Sequence, residues 1–195
     1  MNKLEGLYEL KKLNIPTIDW ECYNHETKLD DNYLWTIRTA VYSGCDLSLP
    51  RLFGKDAYTS KRFADEILDK IGDKGIVIYY PYLIAEKSGN LQFSRSKIII
   101  EAVEGDLSNL LNGLRVDVTY IWDSNERRVI GNENFLDFRE QENILSYVGY
   151  LRRKYSNLLV LGKEIQLEFS FVYNCSKQGN RLGERKLVFF EIRTV

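Results

Sequence analysis

Cysteine is scarce in this sequence, and its three occurrences, Cys22, Cys45 and Cys175, lie far apart. No two of them form a Cys-x-x-Cys pair, so neither a zinc site nor a disulfide framework is indicated. Isolated thiols that stay reduced are typical of the cytosol, and we therefore expect a cytoplasmic protein. The single histidine, His25, stands in a polar segment and is interpreted as a solvated loop residue.

Neither basic nor acidic residues predominate in this sequence. The 195 residues include 27 Lys and Arg against 28 Asp and Glu, which gives a net charge of −1 at pH 7. Without a long-range positive field, the chain has no general means of attracting nucleic acid. No apolar run approaches the roughly 18 residues that a membrane-spanning helix needs. We expect neither nucleic acid nor a membrane as a partner.

The composition that remains, 44% hydrophobic and 28% charged, is typical of a globular domain. Apolar residues at helical spacing predict three helices, over residues 4–13, from a cap at Ser60 to about Ile71, and from Phe138 to Tyr155. β-rich runs predict strands over residues 33–41, 76–80, 91–94, 98–103, 116–122, 128–130, 165–173 and 186–193. Segments 43–55 and 87–90 contain glycine and predict loops. This irregular order of helices and strands predicts the α+β class.

The last two predicted strands form a C-terminal β-hairpin, in which side chains alternate between two faces. Glu168 lies between the apolar residues Leu167 and Phe169 along the first of these strands. The second strand is expected to present Leu187, Phe189, Glu191 and Arg193 on one face. The residues expected to be buried are Leu167, Phe169, Val188 and Phe190, with Phe189 replacing the last two if the register is reversed.

The hairpin brings two carboxylates and a guanidinium together if Glu168 and Glu191 face one cleft. Magnesium prefers a few oxygen ligands and completes its shell with water, and a triphosphate would supply further oxygens. Arg193 would then neutralise charge during phosphoryl transfer. The alternative is that these residues form the exposed polar face of a hairpin.

Six short motifs follow one another over the whole chain. They are KLEGLYEL leading into LNIPT (residues 3–17), IRTAV (37–41), SGNLQFS (88–94), IEAVEG (100–105, then 112–113 and Asp117), QLEF (166–169) and FEIRT (190–194). In this order they resemble the ATP-grasp nucleotide-binding domain of the phosphoenolpyruvate synthase and pyruvate phosphate dikinase family, in a shortened, stand-alone form. The family's counterparts include Leu-Gly-Ile-Pro-Val-Pro, Val-Arg-Ser-Ser-Ala and Asp-Ile-Glu-Trp.

This resemblance implies an ATP-grasp-like domain over residues 1–195 with mostly antiparallel sheets. Its smaller lobe would cover about residues 1–75 and its larger lobe about 76–195, with the division near residues 72–80. ATP and Mg²⁺ would bind between the lobes.

The resemblance also implies roles for individual residues. Lys3 and Arg38 would contact the phosphates, and Glu168 and Glu191 would hold magnesium. Arg193 would reach the transferred phosphoryl group and, with Lys3, would be catalytic. Tyr79, Tyr80 and Tyr82 would lie beside the adenine at a hinge, and Glu101 is a further nucleotide-binding position.

Departures from the family pattern leave two functions open. No pair of glycines precedes Lys3, residues 105–108 replace a Gly-Leu-Gly-Glu turn, and Glu191 stands where the family has glutamine. The retained hairpin charges favour an ATP-dependent phosphotransferase that acts on a separate phosphoacceptor protein or small molecule. A short interval between Arg38 and the hinge indicates a reduced lid, which favours a degenerate nucleotide-binding or protein-interaction module.

Overall fold

The computed structural model describes residues 1–43, 49–111, 116–124 and 126–195. Its helices are α1 (Lys3–Lys12), α2 (Ala57–Ile71), α3 (Ser108–Leu111), α4 (Phe138–Ser146), α5 (Val148–Lys154) and α6 (Ser156–Val160). Its strands are β1 (Glu21–Cys22), β2 (Trp35–Val41), β3 (Arg51–Lys55), β4 (Gly75–Pro81), β5 (Leu83–Phe93), β6 (Ile98–Glu104), β7 (Val118–Trp122), β8 (Arg127–Gly131), β9 (Ile165–Cys175) and β10 (Arg181–Thr194). Cys45 and the motif residues 112–113 lie outside the described residues.

The strands form two sheets in which every pairing is antiparallel. The smaller sheet has the order β1-β4-β2-β3, and the larger has the order β10-β9-β5-β6-β7-β8. The chain passes from the smaller sheet to the larger between Pro81 and Leu83. The α+β class, the antiparallel sheets and the C-terminal hairpin are therefore confirmed, whereas the division into lobes near residue 75 stays a prediction.

Each sheet buries one face under helices. Ala64 and Ile67 of α2 pack against Ile37 and Val77 of the smaller sheet. The larger sheet packs against α4, α5 and α6 through Ile144, Leu151 and Leu159. The opposite faces of the two sheets both contribute to the cleft described below. None of the described helices is both long and apolar enough to cross a membrane.

Helix α1 packs against both sheets and places Lys3. It begins with a capping box, in which Asn2 accepts a hydrogen bond from the Glu5 N–H and Glu5 accepts one from the Asn2 N–H. Leu4 and Leu7 enter a core shared by both sheets, formed with Ile18, Trp20, Ala40, Ile78, Tyr80, Val172 and Val188. A Cβ at Gly6 would lie 2.0 Å from the carbonyl oxygen of Ile192. Glycine thus permits α1 to cross β10 at close range.

Strands occupy the last part of one predicted loop, residues 43–55, and the whole of another, residues 87–90; residues 44–48 lie outside the described residues. Residues 51–55 form β3, in which exposed and half-buried residues alternate, as they do in a sheet with one covered face. Residues 87–90 lie in the middle of β5, where a Cβ at Gly89 would lie 2.1 Å from the carbonyl oxygen of Glu101. The glycine signal at Gly89 therefore marks close packing between neighbouring strands and not a turn.

Two helix predictions also need correction. The N-cap of α2 is Asp56, whose carboxylate accepts a hydrogen bond from the Thr59 N–H at 2.8 Å. Ser60 is buried inside the helix and donates to the carbonyl of Lys55. The predicted helix over residues 138–155 is interrupted at Tyr147, and a further short helix follows Tyr155.

Candidate functional site

A cleft of about 370 Å³ opens between the two sheets. Its lining changes along β9, from Glu168 through Ser170 to Val172. The charged residues near Glu168 come from α1, β2 and β10, and they are Lys3, Arg38, Glu191 and Arg193. The apolar side chains are Leu49, Phe53, Leu83, Ala85, Leu107, Val172 and Phe190; Tyr82 also lines the cleft, and Tyr80 lies next to Arg38.

A β-bulge in β10 turns Glu191 into this cleft. Phe189 lies opposite Phe169 on the helix-covered face, and Glu191 lies opposite Glu168 on the cleft face. Phe190 is the additional residue between the two pairs, and it lines the cleft. A bulge of this kind changes which face the following residues occupy. The prediction that Phe189 and Glu191 share a face was therefore wrong, whereas the expected pairing of Glu168 with Glu191 is found.

Burial around the hairpin follows from the same bulge. Leu167, Phe169 and Val188 are buried, as expected, and Phe189 is buried as well. Phe190 is only partly buried, because the bulge places it at the cleft. β10 is therefore covered on both faces over its apolar stretch, which neither of the two alternative registers anticipated.

The buried carboxylate of Glu191 is held by two arginines. Arg38 Nη2 donates to Glu191 Oε2 at 3.3 Å, and Arg193 Nε donates to Glu191 Oε1. The Glu191 side chain is 2% exposed and that of Arg38 is 10% exposed, so this pair is shielded from water. Burial alone would lower the pKa of Arg38. The nearby Tyr80, Glu168 and Glu191 favour its charged form more strongly, so the pKa of Arg38 is raised overall.

The carboxylate of Glu168 has a different environment. Burial and the neighbouring Glu191 raise the pKa of Glu168 to about 7, although Arg38, Arg193 and Lys3 act in the opposite direction. Within the part of the chain that the structure describes, no group donates a hydrogen bond to this carboxylate. Glu168 therefore presents oxygen atoms to the cleft that are available to a cation or to a donor on a ligand.

Lys3 completes the charged end of the cleft. Burial and the positive charge of Arg38 lower the pKa of Lys3 to about 8, while Glu191 and Glu168 partly counteract this change. Lys3, Arg38 and Arg193 carry three positive charges against the two carboxylates, so this end of the cleft has a positive excess when all are ionised. Such a surface suits a polyanion.

Glu168 and Glu191 can hold Mg²⁺ only if other groups supply further oxygen ligands. Among the described residues, no group of three or more His, Cys, Asp and Glu side chains is arranged to hold a metal ion. Glu168 and Glu191 alone supply few ligands, and both oxygens of Glu191 already accept hydrogen bonds. Mg²⁺ commonly binds through one or two carboxylates plus phosphate and water. The two glutamates fit that mode.

The three predicted hinge tyrosines do not lie together. Tyr80 and Tyr82 line the cleft, but Tyr79 lies on the other face of β4. There its hydroxyl donates to Glu21 at 2.8 Å, and burial together with Glu21 raises the pKa of Tyr79 to about 12. The alternation of side chains along a strand accounts for this separation.

The backbone of the predicted hinge offers few donors to a base. Pro81 has no N–H, and the N–H of Tyr82 donates to the carbonyl of Leu34 at 2.8 Å. A base in this part of the cleft would therefore be held mainly by apolar contact with side chains.

Glu101 shares a face with the glutamate pair but lies farther along the sheet. Asn90 of β5 separates Glu101 from Glu168 in the cross-strand row. Glu101 is not part of the cleft lining. The structure therefore brings Lys3, Arg38, Tyr80, Tyr82, Glu168, Glu191 and Arg193 together, and it leaves Tyr79 and Glu101 outside.

Several residues of the cleft were not predicted. Arg51 and Phe53 come from β3, and Asp106 and Ser108 come from the segment that follows β6. Arg51 and Phe53 are two positions apart, a spacing that is typical of side chains on one face of a strand. The adjacent Gly54 favoured a loop instead. Asp106 and Ser108 have no local signal, because only the fold brings them beside β9.

No protein-family model matches this sequence, and no curated protein matches it. Solved structures are similar over nearly the whole chain. D-Alanine-D-Alanine Ligase from Helicobacter pylori is 18% identical with a TM-score of 0.49, over 98% of this chain and 50% of that chain. D-alanine–D-Alanine Ligase from Bacillus anthracis is 14% identical with a TM-score of 0.45, over 100% and 56%. The macrocyclase MdnC bound with precursor peptide MdnA, from Microcystis aeruginosa MRC, is 11% identical with a TM-score of 0.46, over 97% and 51%.

The chain spans about half the length of these solved structures. With TM-scores below 0.5, these similarities assign neither a family nor an activity to it. The α+β class rests on the two antiparallel sheets and the helices that cover them.

Proposed function

We propose that this chain binds ATP with Mg²⁺ in the cleft between its sheets, in the manner of an ATP-grasp domain. One observation carries the proposal: Lys3, Arg38 and Arg193 surround a pair of glutamates at one end of a cleft whose other end is mainly apolar, with Asp106 near Tyr82. A triphosphate supplies the negative charge that the first end favours, and a flat base suits the second. The order of the sequence motifs supports the same proposal.

Each part of the nucleotide has a counterpart in the cleft. Lys3 and Arg38 would contact phosphate oxygens, while Glu168, with Glu191, would hold Mg²⁺. Tyr82 would lie against the base, while Tyr80, which lies next to Arg38, would be nearer the phosphates. We assign no contact with the nucleotide to Tyr79 and Glu101, because neither of them lines the cleft.

The same geometry supports phosphoryl transfer to an acceptor that enters the cleft. An acceptor oxygen would form a bond to the terminal phosphorus as the bond to the bridging oxygen breaks, leaving ADP. Bound Mg²⁺ would neutralise charge on the phosphates. Arg193 lies only partly buried at the charged end, where it would stabilise the negative charge of the transferred group. The acceptor would be a separate protein or small molecule.

One observation favours a second candidate, a nucleotide-binding module without turnover. Both oxygens of Glu191 are engaged by arginines, so a metal ion has to compete with Arg38 and Arg193 for this carboxylate. A protein that binds the nucleotide through the cations alone would bind it equally well without magnesium.

Calorimetry distinguishes the two candidates. We expect ATP to bind more tightly with Mg²⁺ than with EDTA, and Glu168→Gln to remove most of that difference. Glu101→Gln is the matched control, since it changes a glutamate on the same sheet face outside the cleft. Equal affinity with and without Mg²⁺ would support the module, and the absence of binding at millimolar Mg-ATP would overturn both candidates.

Turnover is tested separately by measuring ADP release. Arg193→Ala is expected to slow ADP release on the order of 100-fold. Its effect on ATP affinity should be much smaller, because charge on the transferred group develops mainly in the transition state. If the wild-type protein binds Mg-ATP but releases no ADP with candidate acceptors, the transfer step is withdrawn and the binding step remains.

A further inference from the structure

Two buried hydroxyl groups connect the cleft to the backbone behind it. Ser170 of β9 lines the cleft, and Ser88 is its cross-strand partner in β5. The two Oγ atoms lie 2.7 Å apart, and Ser88 Oγ lies 2.6 Å from the carbonyl oxygen of Gly105. Both serines are almost fully buried.

The directions of these two hydrogen bonds follow from proton counting. A carbonyl oxygen only accepts, so Ser88 donates its single hydroxyl proton to Gly105. Ser88 then has no proton for Ser170, and the bond between the two hydroxyls requires Ser170 to donate. The oxygen of Ser170 is left with lone pairs only. Among the described residues, no other side chain or backbone group donates to it.

The position of Ser170 along β9 shows which part of a nucleotide it would meet. Glu168 lies two residues before it at the charged end, and Val172 lies two residues after it at the apolar end. Each of these steps covers about 6.6 Å of strand. Between phosphates at Glu168 and a base near Val172 lies the sugar.

We propose that Ser170 is a specificity-determining residue that accepts a hydrogen bond from a sugar hydroxyl group of the bound nucleotide. This inference rests on the proposed function. Phosphate oxygens are acceptors and do not satisfy a second acceptor, whereas a sugar hydroxyl donates. A deoxynucleotide that lacks that hydroxyl would leave the Ser170 oxygen buried without a donor, which costs affinity.

The test compares the binding of ATP, 2′-deoxy-ATP and 3′-deoxy-ATP by calorimetry in the presence of Mg²⁺. The wild-type protein is expected to bind ATP about 3- to 10-fold more tightly than one of the two deoxy forms, the effect of one hydrogen bond. Ser170→Ala should bind ATP and that deoxy form equally. Val172→Ala, a change at the next lining position on the same face, should weaken all three and keep their ratio.

Each outcome decides the inference. Equal binding of all three nucleotides by the wild type would overturn it, and so would a ratio that persists in Ser170→Ala. If Ser170→Ala does not fold, Ser170→Cys replaces it, because a thiol of similar size is a weak acceptor and should reduce the ratio. If no nucleotide binds to the wild type at all, the proposed function fails together with this inference, a result distinct from binding without discrimination.

Discussion

Glu168 is the residue from which we expect the clearest pH dependence of protein stability. Its folded-state pKa of about 7 is above its ordinary value of 4.5, so the folded protein holds this proton more tightly than the unfolded chain does. The stabilising contribution is therefore complete below about pH 4.5 and is lost as the pH rises through 7.

Glu168→Gln tests this dependence, because glutamine has a similar size and no charge. We expect the variant to be more stable than the wild type at pH 8, by about 1–2 kcal/mol once partial exposure to solvent is allowed for. At pH 5 the difference should fall to about a quarter of that at pH 8, because the carboxyl group of the unfolded chain is already mostly ionised there. Urea unfolding at both pH values measures it, with Ser170→Ala as a control in the same strand that does not titrate. A constant difference from pH 5 to pH 8 would contradict the prediction.

Lys3 gives a second prediction, which concerns affinity. Its pKa of about 8 means that Lys3 loses its charge as the pH rises from 7 to 9. Under the proposed function, ATP affinity should fall by several-fold over this range, because about one phosphate contact loses its charge. Lys3→Arg keeps its charge at pH 9 and should remove the decline. The prediction fails if the two proteins show the same pH dependence in calorimetry.

Among the secondary-structure elements, α1 depends on a single close contact. A Cβ at Gly6 would overlap the backbone oxygen of Ile192, which no side-chain rotation relieves. We expect Gly6→Ala to lower the free energy of unfolding by about 3 kcal/mol or more, as overpacking does. Gly149→Ala in α5 is the control, since its Cβ would meet only the end of the Arg153 side chain at 3.9 Å. That variant should be neutral or more stable by up to about 1 kcal/mol, measured by thermal unfolding.

The elements also show how far the sequence alone predicts this structure. The leucine spacing of α1 and the alternation along β9 were sufficient, because both patterns report on a single element and its covered face. The same strand period places Tyr79 and Tyr80 on opposite faces of β4, which is where the structure has them.

The remaining features depend on partners distant in the sequence. The extra residue in β10 is visible only from its pairing with β9, since Phe189, Phe190 and Glu191 form an ordinary apolar-to-polar sequence. Similarly, Gly89 resembles a turn residue until the neighbouring strand β6 is known. The cleft segment at Asp106 likewise has no local sequence feature that relates it to β9.

In the whole molecule, the core beneath α1 couples the two sheets. Leu7 is fully buried there among residues from both of them. We expect Leu7→Ala to lower the free energy of unfolding by about 2–5 kcal/mol. Because the core is shared, protection from hydrogen exchange should fall together in β4 and β9. Tyr58→Ala, at a largely exposed position in α2, should change stability by less than about 0.5 kcal/mol. Loss of protection in one sheet alone would show that the sheets unfold independently.

The ion pair between Arg38 and Glu191 joins residues 153 positions apart in the chain. A ribosome that adds about 5–20 residues per second would release Glu191 roughly 8–30 s after Arg38. For most of that interval the smaller sheet, whose last strand ends at Pro81, is already synthesised, while Arg38 still lacks Glu191. The charged end of the cleft therefore assembles only after β10 has emerged and paired with β9, and under the proposed function the growing chain binds no nucleotide before that point.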